Sequence, residues 1–189
     1  VKTSTGFSHS GATVEDVKEF HSKFYGPNNA TLVVAGDINT EEARALVEKY
    51  FGEIPGGASM QDMEPMRVSL DATKKLYHED NFAKTPRFTM AWPAVEQYTK
   101  DAYALDFLAE LLSSGKKAPM YKVLVKDKKL TSRTTAYNDA RELAGSFDVI
   151  INANADINLA DVEDAIFESM ELFEEEGFTE NDMERIKAG

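Results

Sequence analysis

The sequence predicts an α+β protein, with helices on one face of a mainly antiparallel sheet, preceded by a shorter helix–strand–helix unit. Three observations carry that expectation. Beyond residue 72 the apolar spacing reads strand, strand, helix, helix, strand, strand, helix, helix. Helices grouped in this way, rather than strictly alternating with strands, favour cover on one side of the sheet. Residues 57–72 mix Gly, Met, Pro and charge without a period, so they read as a linker between residues 1–56 and 73–189. The first unit holds one strand, residues 30–35. A lone strand leaves its backbone groups unpaired, so its sheet partners are expected upstream of Val1 and the chain is expected to be part of something larger.

Residues 1–12 are small and polar and read as a loop. Thr13 caps the first helix with Asp16 three residues on, the pattern of a capping box. Val14, Val17, Phe20 and Phe24 then form one apolar face. Pro27 ends that helix, because the residue before a proline is pushed out of the helical region. Val33 and Val34 mark the buried strand at 30–35. Asn39 caps the next helix with Glu42 completing a box, Ala43, Leu46, Val47, Tyr50 and Phe51 keep its apolar stripe, and Gly52 with Pro55-Gly56-Gly57 stops it.

In the second unit, strands are expected at 73–79 and 87–92. Thr99 caps a helix that ends at Ser113-Ser114-Gly115, and Pro119 opens another running to about Asp127. Strands at 131–138 and 146–154 join around Ala144-Gly145. Asn158 caps a long helix closed by Gly177, and Thr179 with Asp182 starts a last one, which the chain end is expected to truncate.

Composition narrows the function. With 42% hydrophobic residues the chain can build a normal core, so it is not expected to be disordered. No apolar run approaches the length that spans a bilayer. The absence of a start methionine and of a basic-then-apolar opening predicts a processed or excised chain without a signal peptide. The compartment stays open between cytoplasm and periplasm. A net charge of −12 argues against nucleic acid, whose phosphates demand clustered Lys and Arg, and suits either solubility or a basic peptide partner. With no cysteine there is no disulfide, thiolate nucleophile or cysteine–zinc site.

The candidate chemistry is sparse. The histidines are His9, His21 and His78, and no pair has the helical spacing of a zinc-binding motif. His21, between Phe20 and Phe24, reads as a helix-surface residue, and His78 beside Glu79 and Asp80 as a strand-end residue. Ser8-His9-Ser10 places hydroxyls beside an imidazole, but adjacency in sequence does not make a triad. No Gly-x-Ser-x-Gly elbow occurs, and Gly115-Lys116-Lys117 lacks the remaining residues of a phosphate loop. Asp37 after Gly36 reads as a turn residue, and Glu174-Glu175-Glu176 as a solvated helix end.

Two stretches carry a family resemblance. One is Phe24-Tyr25-Gly26-Pro27-Asn28-Asn29-Ala30-Thr31-Leu32-Val33-Val34-Ala35-Gly36-Asp37, followed by Lys49-Tyr50-Phe51-Gly52-Glu53-Ile54-Pro55. The other comprises Trp92-Pro93, Leu108-Ala109-Glu110-Leu111-Leu112 and the run Ser114-Gly115-Lys116-Lys117-Ala118-Pro119-Met120-Tyr121-Lys122-Val123-Leu124-Val125. Over residues 13–189 the chain resembles the zinc peptidases with an inverted His-x-x-Glu-His motif: the pitrilysin, insulinase and mitochondrial processing peptidase family, M16. The resemblance implies a LuxS/MPP-like metallohydrolase fold, with residues 1–56 the end of a first sub-domain and 73–189 a second, similar one. It implies two halves, in one chain or as separate subunits, enclosing a chamber where a peptide substrate is cut.

It also implies zinc in the parent protein, held by residues outside this chain. No catalytic or metal residue is carried over, because Glu15, Glu19, Glu41 and Glu42 fall too late to be the third ligand. In the partner half an Arg and a Tyr grip substrate. Here Val125 and Ser132 match those positions, which points to the zinc-bearing half cut after its zinc site; a shift of one residue would bring Arg133 and Tyr137 there instead. The loop Ser113, Ser114, Gly115, Lys116 and Lys117 is the candidate substrate-binding segment, against the alternative of an ordinary connector. Three functions follow: part of a zinc endopeptidase, forming chamber wall without the metal; a non-catalytic partner or scaffold of the same family; or an unrelated α+β binding module.

Overall fold

The structure is a computed structural model and describes residues 11–57, 59 and 63–188. Most of the loop expected at 1–12, with Ser8-His9-Ser10, lies outside these residues. The chain divides into two compact units, Val1–Asp62 and Met63–Gly189.

The first unit begins with α1, Val14–Phe24, closed by the expected capping box. Thr13 Oγ1 accepts the Asp16 N–H, and Asp16 Oδ2 accepts the Thr13 N–H. That backbone bond, then the Thr13 hydroxyl, holds the Asp16 carboxyl below its ordinary value. The turn Pro27–Asn29 breaks the helix. Asn28 ties this turn to the end of the unit, accepting the Gly57 N–H at 2.8 Å and donating to the Gly57 carbonyl at 3.1 Å. α2, Thr40–Phe51, is capped by Asn39, whose Oδ1 accepts the N–H groups of Glu41 and Glu42.

Residues 30–35 differ from the expectation. Ala30 has extended backbone, but the segment joins no ladder among the described residues, and Leu32, Val33 and Val34 are exposed. The apolar pattern is there, but among the described residues of the unit no second strand offers the backbone groups that would make it a sheet. Val14, Val17 and Phe20 on the apolar face of α1 are exposed as well.

The second unit is built on three strands: β1, Arg87–Ala94; β2, Thr131–Ala140; and β3, Gly145–Ala153. Their order is β1-β3-β2, with both pairs antiparallel. α3, Lys100–Ser113, follows β1 under the Thr99 cap, and α4, Leu159–Glu176, follows β3 under Asn158. α5, Glu180–Lys187, starts with the Thr179–Asp182 box. Gly145 is required where β3 begins: a Cβ there would stand 2.3 Å from the Val95 carbonyl oxygen. Before β1, the Met66 N–H donates to the Leu143 carbonyl, and Arg67 grips Glu96 through two bonds of 2.8 Å. The Arg67 guanidinium holds the Glu96 carboxyl down to about 2.

Two expectations change here. Residues 73–79 form no strand; Leu76 and Tyr77 are almost wholly exposed, so the segment has no buried face, and Lys75 reaches α4 through Glu163 instead. The helix opened by Pro119 widens into a π-helix over Tyr121–Asp127. The Lys128 N–H reaches back five residues to the Val123 carbonyl, and the wider turn leaves both Val123 and Leu124 buried.

The core lies between the sheet and the helices. Phe147, Val149, Ile151 and Ala153 alternate along β3 and are buried, and Val149 and Ile151 have no exposed surface. They meet Leu112 of α3 and Val162 and Ile166 of α4, with Met120 and Leu124 filling the space between. Because side chains alternate along a strand, the other half of β3 necessarily faces the opposite way.

Candidate functional site: the uncovered face of the sheet

That opposite face is where the unit presents itself. β3 sends Ser146, Asp148, Ile150 and Asn152 to it, and the register places Thr89 and Thr135 on either side of Ile150, and Ala91 and Tyr137 on either side of Asp148. Arg87, Thr89, Ala91, Pro93, Tyr137 and Asn152 are exposed, and the remainder are half-buried. Among the described residues no helix of the unit covers this surface: Phe88, Met90, Trp92 and Ala136, which pack against the core, lie on the other face of the same strands. β1, at one edge, bonds only to β3 among the described residues.

Arg141 grips Asp139 with bonds of 2.7 to 3.2 Å. That bond raises the Arg141 guanidinium above its ordinary value. Asp148 has no such cation. Ser146 Oγ donates to its Oδ2 at 2.5 Å, which orients the carboxylate and leaves Oδ1 open. Such a surface, polar, solvated and bordered by a free strand edge, suits an extended chain laid along it.

The loop expected to bind substrate sits elsewhere. The Ser113 carbonyl accepts the Thr134 hydroxyl, and Thr134 stands opposite the buried Ile151, so the loop lies on the helix side. Ser113 Oγ donates to the Ala109 carbonyl, Ser114 N–H to the Glu110 carbonyl, and Ala118 N–H to the Gly115 carbonyl. Gly115 has φ +83°, a conformation that favours glycine. Lys116 is exposed. Lys117 lines a shallow depression of about 310 Å³ with Lys122, Glu176, Phe178, Asp182 and Arg185. There the Thr179 hydroxyl and N–H lower Asp182, with Arg185 and Lys117 adding to the effect. Bonds at Ser113, Ser114 and Ala118 thus fix both ends of the loop, and Lys116 and Lys117 are exposed.

Val125 is half-buried and Ser132 exposed, as is Arg133. Of the two residues of the shifted alignment, Tyr137 lies on the uncovered face opposite Asp148, and Arg133, exposed and two residues before Thr135, alternates to the same side. That face was missed in the sequence, although a signal existed: Ser146, Asp148 and Asn152 alternate with Phe147, Val149, Ile151 and Ala153.

For a metal, the donor set is wrong. Among the described residues no three His, Cys, Asp or Glu side chains converge, and the chain has no cysteine. His21 stacks on Tyr25 with ring centroids 5.0 Å apart, and His78 is exposed. These residues do not fit a zinc site. Among the described residues no helix is long and apolar enough to cross a membrane.

The second unit is thus a one-sided α+β sheet, and among the described residues no three metal-ligating side chains converge. The profile of the peptidase M16 inactive domain matches residues 11–189, and the chain belongs to that family. It is 24% identical to the zinc protease PqqE of Helicobacter pylori over 189 aligned residues, covering 93% of this chain and 40% of that protein. The peptidase M16 inactive domain from Pseudomonas fluorescens superposes with a TM-score of 0.75 at 16% identity, over 95% of this chain and 43% of that one. The first half of the periplasmic protease PqqL from Escherichia coli does so at 0.61 and 20% identity, over 94% and 39%. At such identities the likeness is one of fold. A shorter match, 40% over 68 residues, joins 36% of this chain to 31% of the deoxyribose-phosphate aldolase of Coprothermobacter proteolyticus, and does not extend to the family assignment. The chain spans about two fifths of the PqqE it resembles.

Proposed function

We propose that this chain is a wall of a peptide-cleaving chamber in a zinc-dependent endopeptidase whose metal and catalytic groups lie outside residues 1–189. The observation that carries the reading is the M16 inactive-domain match over residues 11–189, in a chain whose described side chains do not fit a zinc site. Residues 1–56 are the end of a first sub-domain, 57–72 the link, and 73–189 a second. The zinc, held elsewhere in the protein, would polarise the scissile carbonyl and activate water. This chain supplies surface: the uncovered sheet face for an extended peptide, with the lysines of the Ser113–Lys117 loop offered to acidic groups of the substrate or of the second half. PqqL of Escherichia coli is a periplasmic protease, which favours the periplasm over the cytoplasm here.

The protein expressed from its full reading frame tests this. Hydrolysis of unstructured peptides that a chelator abolishes and zinc restores supports the peptidase. Stable association with a family half that carries the zinc, without hydrolysis by this protein alone, supports the second reading, a non-catalytic partner. Neither hydrolysis nor such association refutes both.

A further inference from the structure

We propose that the uncovered face of the sheet holds a subsite for a lysine or arginine side chain of the bound peptide, centred on Asp148. The proposal rests on the chamber-wall reading and narrows its substrate class.

β3 is the middle strand, so Asp148 stands near the centre of the face rather than at its rim. Its neighbours are unequal. Ala91 on β1 is small, and Tyr137 on β2 is large and exposed, which gives the carboxylate a low side and a high side. An aromatic ring beside a carboxylate suits a basic side chain, whose alkyl stem or guanidinium packs on the ring while its head meets the charge.

The charge balance points the same way. The two carboxylates that β2 and β3 bring here are Asp139 and Asp148. Arg141 satisfies Asp139, whereas no Lys, Arg or His among the described residues bonds to Asp148. Ser146 donates to one oxygen only, and a neutral hydroxyl leaves the charge in place. A half-buried, oriented, unneutralised carboxylate is completed by a ligand cation. The chain's net charge of −12 adds a field that draws cationic segments and repels acidic ones. In an extended peptide alternate side chains face the same way, so one basic residue can meet Asp148 while its neighbours point away.

The test uses the full-reading-frame protein and fluorescent peptides that differ at one position: Lys, Arg, Gln or Glu. A charge-assisted contact of this exposure corresponds to about a tenfold preference for Lys or Arg over Gln. Asp148→Asn, which keeps shape and removes charge, is expected to erase that preference. Ala91→Lys, which places a cation directly opposite Asp148, is expected to erase it independently. Peptides that bind with equal affinity whatever the residue, or a preference that survives both substitutions, overturn the subsite and leave the chamber wall standing. Failure of every peptide to bind overturns both.

Discussion

Ile150 and Ile151 are adjacent in β3 and chemically identical, yet the structure gives them opposite surroundings. Ile151 has no exposed surface and sits in the core, whereas Ile150 is half-buried between Thr89 and Thr135 on the uncovered face. Truncating Ile151 to alanine removes three buried carbons, about 2.4 kcal/mol in transfer terms. The closed space left behind adds to this, for a total of about 3–4 kcal/mol. At Ile150 roughly half the transfer is lost and no closed cavity forms, so about 1 kcal/mol is expected. With a urea slope of about 2 kcal/mol per molar, the midpoint falls by about 1.5–2 M for Ile151→Ala and about 0.5 M for Ile150→Ala. Urea titration followed by the fluorescence of Trp92 and by circular dichroism measures both. Equal shifts, or a larger one for Ile150→Ala, would refute the one-sided sheet on which the candidate site depends.

Gly145→Ala drives a Cβ against the Val95 carbonyl at 2.3 Å and is expected to cost about 1–3 kcal/mol, read as a lowered urea midpoint. Thr179→Ala removes the hydroxyl that accepts the Asp182 N–H, and is expected to cost α5 about 1 kcal/mol and speed amide exchange in its first turn. Glu96 gives a pH signature. Its folded value is depressed from 4.5 to about 2, so its contribution is complete above 4.5 and is lost as pH falls towards 2. Arg67→Gln is therefore expected to lower stability near neutrality and to flatten the decline between those values, and an unchanged acid limb would remove the ion pair from the account.

Much of the fold was legible because its signals are local. The caps at Thr13, Asn39, Thr99, Asn158 and Thr179 all hold, since a side chain bonding backbone a few residues away depends on little else. The strands at 87–92, 131–138 and 146–154 were recognisable from alternation and from their turns. Residues 30–35 and 73–79 show the limit of that reasoning. Both have strand-like composition, but a strand is a relation between two segments, and neither finds a partner among the described residues. The π-turn at Tyr121–Asp127 was not visible either, because it satisfies the packing of Val123 and Leu124 rather than any spacing rule.

The candidate site was harder to read. Ser113–Lys117 drew attention through the family resemblance; its bonds to Ala109 and Glu110 are local helix-end bonds, whereas the one with Thr134 is a tertiary contact. The uncovered face was written in the alternation of β3, but which half of a strand faces solvent is decided by where the helices land.

The central claim, that this chain turns its bare sheet face towards a peptide, is tested most directly by photocrosslinking in the full-reading-frame protein. A photoreactive residue at Thr135, on that face, is compared with one at Glu168, on α4. Label transferred to a bound peptide from position 135 and not from 168 is the predicted result. Transfer from 168 and not from 135 would contradict it.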